Sequence, residues 1–264
     1  MGWWQRDPGD PDAKGKGKRR KRSDAWERCE GCGEILPRAD IAVRWGVCPR
    51  CGHHHAISTA RRVSLLLDGE SFEPLGEEIA PRDTLGFKDT RRYKDRLKQA
   101  GRRSGVDEVL QAGRAHLDGL SLVAVFWASE FLGGTTGEVA AARFALACEA
   151  ALAEGCPMLS VGTPAGLRLQ EGAAAIFSLA RIAAARRDLA EARLPVVSIL
   201  PELHGDEVVG AVFMGDINLA EPSAALLVEG GIADAIVPRA ELPEQVARAL
   251  RLLMGGSRSK VSRA

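Results

Sequence analysis

The sequence of 264 residues lacks the features that mark membrane, secreted or highly charged proteins. No apolar run reaches the roughly 18 to 20 residues that span a bilayer, and the N-terminus lacks the apolar stretch and small-residue cleavage site of a signal peptide. The formal net charge is only +1, so the charge of the whole chain favours no particular partner. We therefore expect a cytoplasmic protein that does not engage a membrane.

Aromatic residues and recognisable catalytic motifs are also scarce. Aromatic side chains make up 5% of the chain, which fits close packing of helices on a sheet through alanine. The chain has no Gly-x-x-x-x-Gly-Lys-Ser/Thr loop for nucleotide phosphates and no convincing Ser/His/Asp or paired-carboxylate arrangement. These absences exclude a phosphate-loop enzyme and leave no side chain assigned as acid, base or nucleophile.

Cysteine is more informative, because four of the six cysteines stand close together as two Cys-x-x-Cys pairs. The pairs are Cys29 with Cys32 and Cys48 with Cys51, and each is followed by a glycine that lets backbone N–H groups point at the thiolates. This spacing predicts a tetrahedral zinc ribbon in which the intervening residues 33–47 form a short hairpin. Four thiolates leave no open coordination position, so we expect one structural zinc per chain.

Other interpretations of the cysteines remain open at this point. Iron in a rubredoxin-like site, a redox dithiol and unligated core thiols use the same residues, and an imidazole from residues 53–55 can replace one thiolate. The remaining cysteines, Cys148 and Cys156, lie among apolar residues and are predicted to be ordinary buried thiols.

Composition divides the chain into three parts. Residues 1–24 are rich in Gly, Pro, Asp and Lys and include a basic run at 14–22, so they predict a disordered basic arm. That run is either a solvated tail or a contact for nucleic acid or another polyanion. Residues 25–56 form the predicted zinc ribbon, and residues 57–264 form a larger domain.

The larger domain alternates short apolar runs with longer amphipathic segments. Such strand, turn and helix repeats imply a layered α/β fold with βα crossovers. Strands are predicted at 120–127, 158–161, 195–200 and 224–228, and helices at 61–67, 139–153 and 172–187.

Glycine-containing turns join the predicted strands to helices at residues 131–137, 162–171 and 204–210. A glycine turn before a helix can present free backbone N–H groups and the positive end of the helix dipole to a phosphate or an oxyanion. Glycine also serves tight packing and turn closure alone, so each turn taken singly is weak evidence.

Taken in order, the ribbon and residues 85–97, 131–134, 165–171 and 214–222 resemble the β subunit of bacterial acetyl-CoA carboxylase carboxyltransferase. The resemblance covers residues 25 to about 240 and implies a crotonase-like layered α/β fold preceded by a small zinc ribbon. It also implies transfer of a carboxyl group from carboxybiotin, carried on a separate protein, to acetyl-CoA, giving malonyl-CoA for fatty acid biosynthesis. No Met-Lys-Met acceptor is present, so biotin is not expected on this chain.

The same resemblance implies partners and site residues. The partners are a carboxyltransferase α subunit in a heterotetramer, the biotin carboxyl carrier protein, biotin carboxylase and acetyl-CoA. An enolate formed from the thioester needs preorganised donors in a water-poor site, and backbone N–H groups supply them. On this resemblance the oxyanion donors are Ala165, Gly166 and Gly205, while Gly133 and Gly134 bind substrate. Glu171, His204, Asp206 and Glu207 are expected to be helix caps or surface groups.

The chain departs from the family in three places. Ala165 stands where two consecutive glycines are usual, and Asp206 would place negative charge near the developing enolate. A segment that usually lies between residues 224–228 and 230–237 is absent. These departures support one alternative, a degenerate paralogue that acts as an interaction subunit or acyl-thioester decarboxylase. The ribbon and the basic run at 14–22 support another, a zinc-ribbon nucleic-acid-binding protein.

Overall fold

The structure is a computed structural model that describes residues 2–5, 25–162, 164–201 and 215–258. The basic run at 14–22 and the predicted loop at 204–210, with Gly205 and Asp206, lie outside these ranges. Within them, no helix combines the length and apolar character needed to cross a bilayer.

The first described residues correct the prediction of a disordered arm. Residues 2–5 contain a 3-10 turn, Trp3–Gln5, whose two indole rings pack edge-on against Phe72 with ring centroids 5.7 and 5.4 Å away. The free energy gained by burying aromatic surface against a core residue offsets the entropy lost when this short segment becomes ordered. The predicted disorder is therefore wrong at residues 2–5.

The ribbon contains a hairpin, but not where the sequence predicts it. Strands β1, Trp26–Arg28, and β2, Ile35–Pro37, pair antiparallel and enclose the first cysteine pair, while helix α1, Arg38–Val43, fills much of the intervening stretch. The second pair is enclosed by a bridge between Val47 and His54. Each cysteine turn reverses the chain, so each pair is closed by its own flanking residues rather than by the stretch between the pairs.

A seven-stranded sheet forms the core of the larger domain. It follows the order β3 to β9; β3, β4 and β5 are antiparallel, and β5 to β9 are parallel. The strands are β3 Glu73–Leu75, β4 Leu110–Leu117, β5 Leu120–Trp127, β6 Met158–Val161, β7 Val196–Leu200, β8 Ile217–Ala220 and β9 Ala235–Ile236. The predictions at 120–127, 158–161 and 195–200 are confirmed.

Helices cover both faces of this sheet. They are α2 Thr59–Leu66, α3 Tyr93–Ser104, α4 Glu138–Glu154, α5 Ala173–Glu191, α6 Leu226–Glu229 and α7 Leu242–Arg258. The predicted helices near 61–67, 139–153 and 172–187 are confirmed as α2, α4 and α5.

The strand predicted at 224–228 is wrong. Residues Pro222–Ala224 form a 3-10 turn, and α6 follows it. Pro222 stands at the start of the turn, where its fixed φ and missing N–H favour helical entry. A short apolar run alone does not distinguish a strand from a buried helical turn.

Side chains alternate across β5 and so divide the core into two halves. One half packs this strand against α4 and α5, and the other packs it against α2 and α7. Four alanines of α4 are fully buried, as the low aromatic content predicts: Ala140, Ala141, Ala147 and Ala151. Cys148 and Cys156 are buried thiols, and burial raises the pKa of Cys148 to about 12.

Candidate functional site

The loops that follow β5 and β6 meet beyond the carboxyl edge of the sheet. Because these strands are parallel neighbours, their following loops leave the same edge. Ala165 N donates to Gly134 O at 3.0 Å, and Thr136 N donates to Gly166 O at 2.8 Å. Arg168 N returns a bond of 2.8 Å to Thr136 O, which extends the pairing. The two glycine turns predicted from sequence at 131–137 and 162–171 are therefore joined into one site.

Two glycines in these loops adopt conformations that disfavour other residues. Gly134 has φ +80° and Gly166 has φ +122°. A Cβ on Gly134 would lie 3.3 Å from the Cβ of Ala165, so the loops approach closely at this point. Ala165 itself has no positive φ, and alanine therefore occupies this position without backbone strain.

The predicted oxyanion donors differ in their surroundings. The N–H of Ala165 is engaged by Gly134 O in this structure, whereas the N–H groups of Gly133 and Gly166 have no hydrogen-bond partner among the described residues. Gly205 lies outside the described residues. Of the two predicted donors on the β6 loop, only Gly166 therefore has an N–H without a hydrogen-bond partner among the described residues.

A buried arginine holds both loops in place. Arg168 is fully buried and forms a two-pronged ion pair with Glu108, with 2.8 Å from Nη1 to Oε2 and a second bond from Nη2 to Oε1. Nη2 also donates to Thr135 O at 2.7 Å, and the guanidinium lies 5.5 Å from the ring centroid of Phe131. Burial opposes the charged form of Arg168, but the Glu108 carboxylate outweighs it and raises the pKa of Arg168. This arginine therefore stays charged and links the turn before β4, the β5 loop and the β6 loop.

Glu171 completes the same network. Its Oε1 accepts from Tyr93 Oη at 2.5 Å and lies 3.3 Å from Arg168 Nη1, and its Oε2 accepts from Glu138 N at 2.6 Å, the first residue of α4. A Cβ on Gly137 would lie 2.4 Å from Oε2, so this approach requires glycine. Glu171 is a helix cap, as expected, but it is buried and not a surface group.

Tyr93 is the single tyrosine of the chain and is almost fully buried. Burial raises the pKa of its hydroxyl, the positive charge of Arg168 opposes that rise, and the adjacent Glu171 carboxylate adds to it. Tyr93 therefore remains a neutral donor to Glu171. Sequence reasoning assigned no role to Tyr93, Glu108 or Arg168, although two of them lie in segments that carry the family resemblance.

The four ribbon cysteines come together as the sequence predicts. Their sulfur atoms all lie within 4.8 Å of one another, with 3.7 Å between Cys29 and Cys51 and 4.0 Å between Cys32 and Cys48. A tetrahedral zinc with Zn–S bonds of about 2.3 Å needs sulfur separations of about 3.8 Å. The donor set therefore fits one zinc ion.

The backbone around these thiols favours ionisation of one of them. Burial opposes the thiolate of Cys48, but the N–H groups of Cys51 and Arg50 outweigh it and lower the pKa of Cys48 to about 7. The His53 N–H also favours the thiolate of Cys51, yet burial and the neighbouring thiols together raise the pKa of Cys51 to about 12. A bound cation would remove this mutual repulsion among thiolates.

We expect Cys51→Ser to lower the zinc content from about one ion per chain to near zero, because three thiolates hold zinc far more weakly than four. Elemental analysis of the dialysed protein measures this loss. Cys148→Ala is the matched control, since Cys148 is a buried thiol outside the ribbon. Equal zinc content in both variants would contradict the site.

A second buried cluster, here called the ribbon clamp, joins the ribbon to the sheet. Its centre is Glu221, which follows β8 and is fully buried. Glu221 lies 2.6 Å from Arg62 Nη1, 2.9 Å from Arg239 Nε and 3.2 Å from His54 Nδ1. Because His54 belongs to the ribbon and Glu221 to the edge that carries the loops, this cluster fixes one against the other.

Arg239 extends the ribbon clamp into the ribbon backbone. Its Nη1 donates to Trp45 O at 2.8 Å and to His55 O at 2.9 Å. A Cβ on Gly46 would lie 2.9 Å from the same Nη1, so the ribbon approaches this arginine closely. The ribbon is therefore positioned by a buried arginine rather than by its own fold alone.

The layered α/β core and the paired glycine loops form a crotonase-like fold, and the cysteine cluster precedes it. Solved structures share this fold. The chain matches a Pseudomonas malonate decarboxylase MdcD-MdcE hetero-dimer with a TM-score of 0.54 and 21% identity, over 74% of this chain and 86% of that chain. The carboxyl transferase domain family matches residues 58–217, more than half of the sequence, so the chain belongs to that family.

Longer carboxyltransferases share the fold as well. The transcarboxylase 12S core matches with a TM-score of 0.55 and 17% identity, over 81% of this chain and 43% of that chain. The beta subunit of P. aeruginosa geranyl-CoA carboxylase matches with a TM-score of 0.56 and 16% identity, over 81% and 41%. The chain thus spans about two fifths of the length of these two proteins.

Proposed function

We propose that this chain is the β subunit of an acetyl-CoA carboxylase carboxyltransferase, which moves a carboxyl group from carboxybiotin on a carrier protein to acetyl-CoA. The observation that carries the proposal is the pair of loops after β5 and β6, joined by hydrogen bonds and held by buried Arg168. Membership of the carboxyl transferase domain family supports the reaction class. The choice of acetyl-CoA rests on the sequence resemblance.

The backbone of the β6 loop supplies the electrostatic part of this reaction. Removal of a proton from C2 of the thioester places negative charge on the carbonyl oxygen, and the N–H of Gly166 stabilises it. The C–N bond of carboxybiotin breaks, which leaves carbon dioxide in the site and the electron pair on the ureido group, and that group takes the proton from C2. The enolate carbon then bonds to the carbon dioxide. The chain therefore needs no side-chain base for the reaction to balance.

A second subunit fits an exposed apolar strip beside these loops. The strip consists of side chains that are unusually exposed for their size: Leu85 at 64%, Leu169 at 74%, Ile176 at 60% and Phe177 at 71%. A Cβ on Gly172 would lie 3.1 Å from Leu85 Cδ1, which brings Leu85 against the start of α5. Exposed apolar patches of this kind mark protein interfaces. We propose that the strip docks a crotonase-like α subunit, giving a heterotetramer served by the biotin carboxyl carrier protein and biotin carboxylase.

Reconstitution tests the proposal. The purified chain, its α subunit and a carboxylated carrier protein are incubated with acetyl-CoA, propionyl-CoA or geranyl-CoA, and the carboxylated products are separated. We expect malonyl-CoA to form fastest. Preference for another thioester would indicate the β subunit of a different acyl-CoA carboxylase. The absence of a carboxylated product from all three thioesters would refute the proposal.

Decarboxylation of an acyl thioester is the second candidate. This candidate is supported by the match to the malonate decarboxylase hetero-dimer, because the present chain covers 86% of the matched chain. In that reaction the same Gly166 N–H would stabilise the enolate left when carbon dioxide departs, and the enolate carbon would then take a proton. This reading predicts an acetyl product from a malonyl thioester without any biotin acceptor.

Gly166→Ala is expected to lower the transfer rate by about 100-fold, because an L-residue resists φ +122° and displaces the donor N–H. Steady-state rates in the reconstituted assay measure the loss. Gly155→Ala is the control: Gly155 has φ +61° at the end of α4, and a Cβ added there would meet nothing within 4 Å. An equal loss of activity in both variants would show a stability effect and contradict the role of Gly166.

A further inference from the structure

Helix α3 and the turn before it form a strongly basic surface. The basic residues here are Lys88, Arg91, Arg92, Lys94, Arg96, Lys98, Arg102 and Arg103, against only Asp89 and Asp95. Asp89 is already paired, because Arg96 Nη2 lies 2.6 Å from its Oδ2 and, with the Arg91 N–H, holds the pKa of Asp89 down at about 2. The net chain charge of +1 conceals this local excess of positive charge.

A cavity of about 360 Å3 lies between this helix and the β5 loop. One wall is a single face of α3, with residues at positions i, i+3, i+4 and i+7: Arg96, Gln99, Ala100 and Arg103. The opposite wall consists of Ser129, Glu130, Leu132 and Gly133. Gly133 belongs to the paired loops, so the cavity borders the candidate active site.

The charges around this cavity favour an anion. Arg103 is exposed and forms no hydrogen bond or ion pair with the described residues. The single carboxylate in the wall, Glu130, is partly satisfied, because its Oε1 accepts from Thr59 N at 3.0 Å, at the first residue of α2. The N–H of Gly133 also lacks a partner among the described residues. An arginine, an amide side chain and a glycine N–H together suit phosphate oxygens.

We propose that this cavity binds the phosphorylated end of the acyl thioester substrate, with Arg103 as the principal phosphate ligand. The inference rests on the proposed function for the thioester, but the anion site itself does not require carboxyl transfer. Two sources present this chemistry: the nucleotide end of free acyl-CoA, and the phosphopantetheine group of a carrier protein. Placement of the phosphates beside Gly133 would leave the thioester arm free to enter the paired loops.

Direct binding tests the site apart from turnover. Calorimetric titration of the full chain with coenzyme A, adenosine 3′,5′-bisphosphate and 4′-phosphopantetheine measures the dissociation constants. We expect Arg103→Met to weaken coenzyme A binding about tenfold or more, the loss of one charge-assisted hydrogen bond. Arg102→Met is the matched control, because Arg102 is a neighbouring exposed arginine outside the cavity wall.

The competing ligands identify the source of the phosphate. Arg103-dependent binding of the bisphosphate assigns the site to the nucleotide end of free acyl-CoA, and Arg103-dependent binding of 4′-phosphopantetheine alone assigns it to a carrier-bound thioester. Equal weakening by Arg102→Met, or no Arg103 dependence with any of the three ligands, would overturn the site. An Arg103 effect seen only with a single-stranded oligonucleotide would also overturn it and indicate a nucleic-acid surface.

In the transfer assay, Arg103→Met is expected to raise KM for acetyl-CoA about tenfold while kcat and the KM for acetyl-pantetheine stay unchanged, because the shorter thioester carries no phosphate. Arg103-dependent binding of coenzyme A in a chain that transfers no carboxyl group would keep this inference and refute the proposed function. If the wild type and Arg103→Met both transfer the carboxyl group with the same KM for acetyl-CoA, the proposed function stands and this inference is refuted.

Discussion

Arg168→Met is expected to destabilise the fold by about 3–5 kcal/mol and to abolish carboxyl transfer. The substitution leaves the carboxylates of Glu108 and Glu171 buried without their shared cation. It also removes the donor to Thr135 O, which connects the β5 loop to the β6 loop. Urea unfolding followed by circular dichroism measures the free energy of unfolding, and the reconstituted assay measures activity.

Two further variants separate the buried network from a general loss of positive charge. Arg187→Met removes an arginine whose ion pair with Glu191 is largely exposed, so its effect should stay below about 1 kcal/mol. Arg168→Lys keeps the charge but loses the two-pronged geometry, and we expect an intermediate stability. Wild-type stability and activity in Arg168→Met would contradict the account of how the loops are held.

Glu221→Gln is expected to lower the free energy of unfolding by a similar amount, about 3–5 kcal/mol, because Arg62 and Arg239 would remain buried beside a neutral amide. Burial raises the pKa of Glu221, but His54 and the two arginines outweigh burial and lower it to about 2, from 4.5 for an ordinary glutamate. A depressed folded-state pKa adds stability that is fully present above about pH 4.5 and is lost as the pH falls toward 2.

Thermal unfolding measured from pH 7 to pH 2.5 tests this dependence. The wild type should be more stable than Glu221→Gln by a constant margin above about pH 5, and the margin should shrink below about pH 4.5 as Glu221 takes a proton. Zinc release in acid affects both proteins, so the difference between them isolates Glu221. Glu34→Gln, at an exposed pair with Arg50, is the control. A margin that does not change with pH would contradict the ribbon clamp.

Local sequence was sufficient to predict the parallel strands β5, β6 and β7 and the helices α4 and α5 that connect them, but not β8 and β9. Runs such as Leu120–Trp127, in which only Ser121 is polar, are apolar because both faces of the strand are covered. Strand β4, Leu110–Leu117, was missed because it contains Gln, Gly, Arg and His, and its place is set by pairing along the whole of β5. The ribbon hairpin was placed wrongly for a related reason. The spacing of the cysteines identifies the metal ligands, but it does not show which flanking residues pair to close each cysteine turn.

The candidate site was predicted in part. Glycine turns after strands are visible in sequence, so the loops at 131–137 and 162–171 were found. The groups that hold them were not, because Arg168 lies 60 positions from Glu108, and Tyr93 lies 78 positions from Glu171. Periodicity reports on neighbouring residues and carries no signal for such pairings. The engagement of the Ala165 N–H by Gly134 O likewise depends on the contact between two loops.

The consumption of malonyl-CoA by the chain with its α subunit, measured with and without free biotin, tests the central claim most directly. Transfer in reverse requires an acceptor, so the account predicts that malonyl-CoA is converted to acetyl-CoA only when biotin is present and that Gly166→Ala suppresses this conversion. Conversion at the same rate without biotin would contradict carboxyl transfer and establish the chain as a thioester decarboxylase.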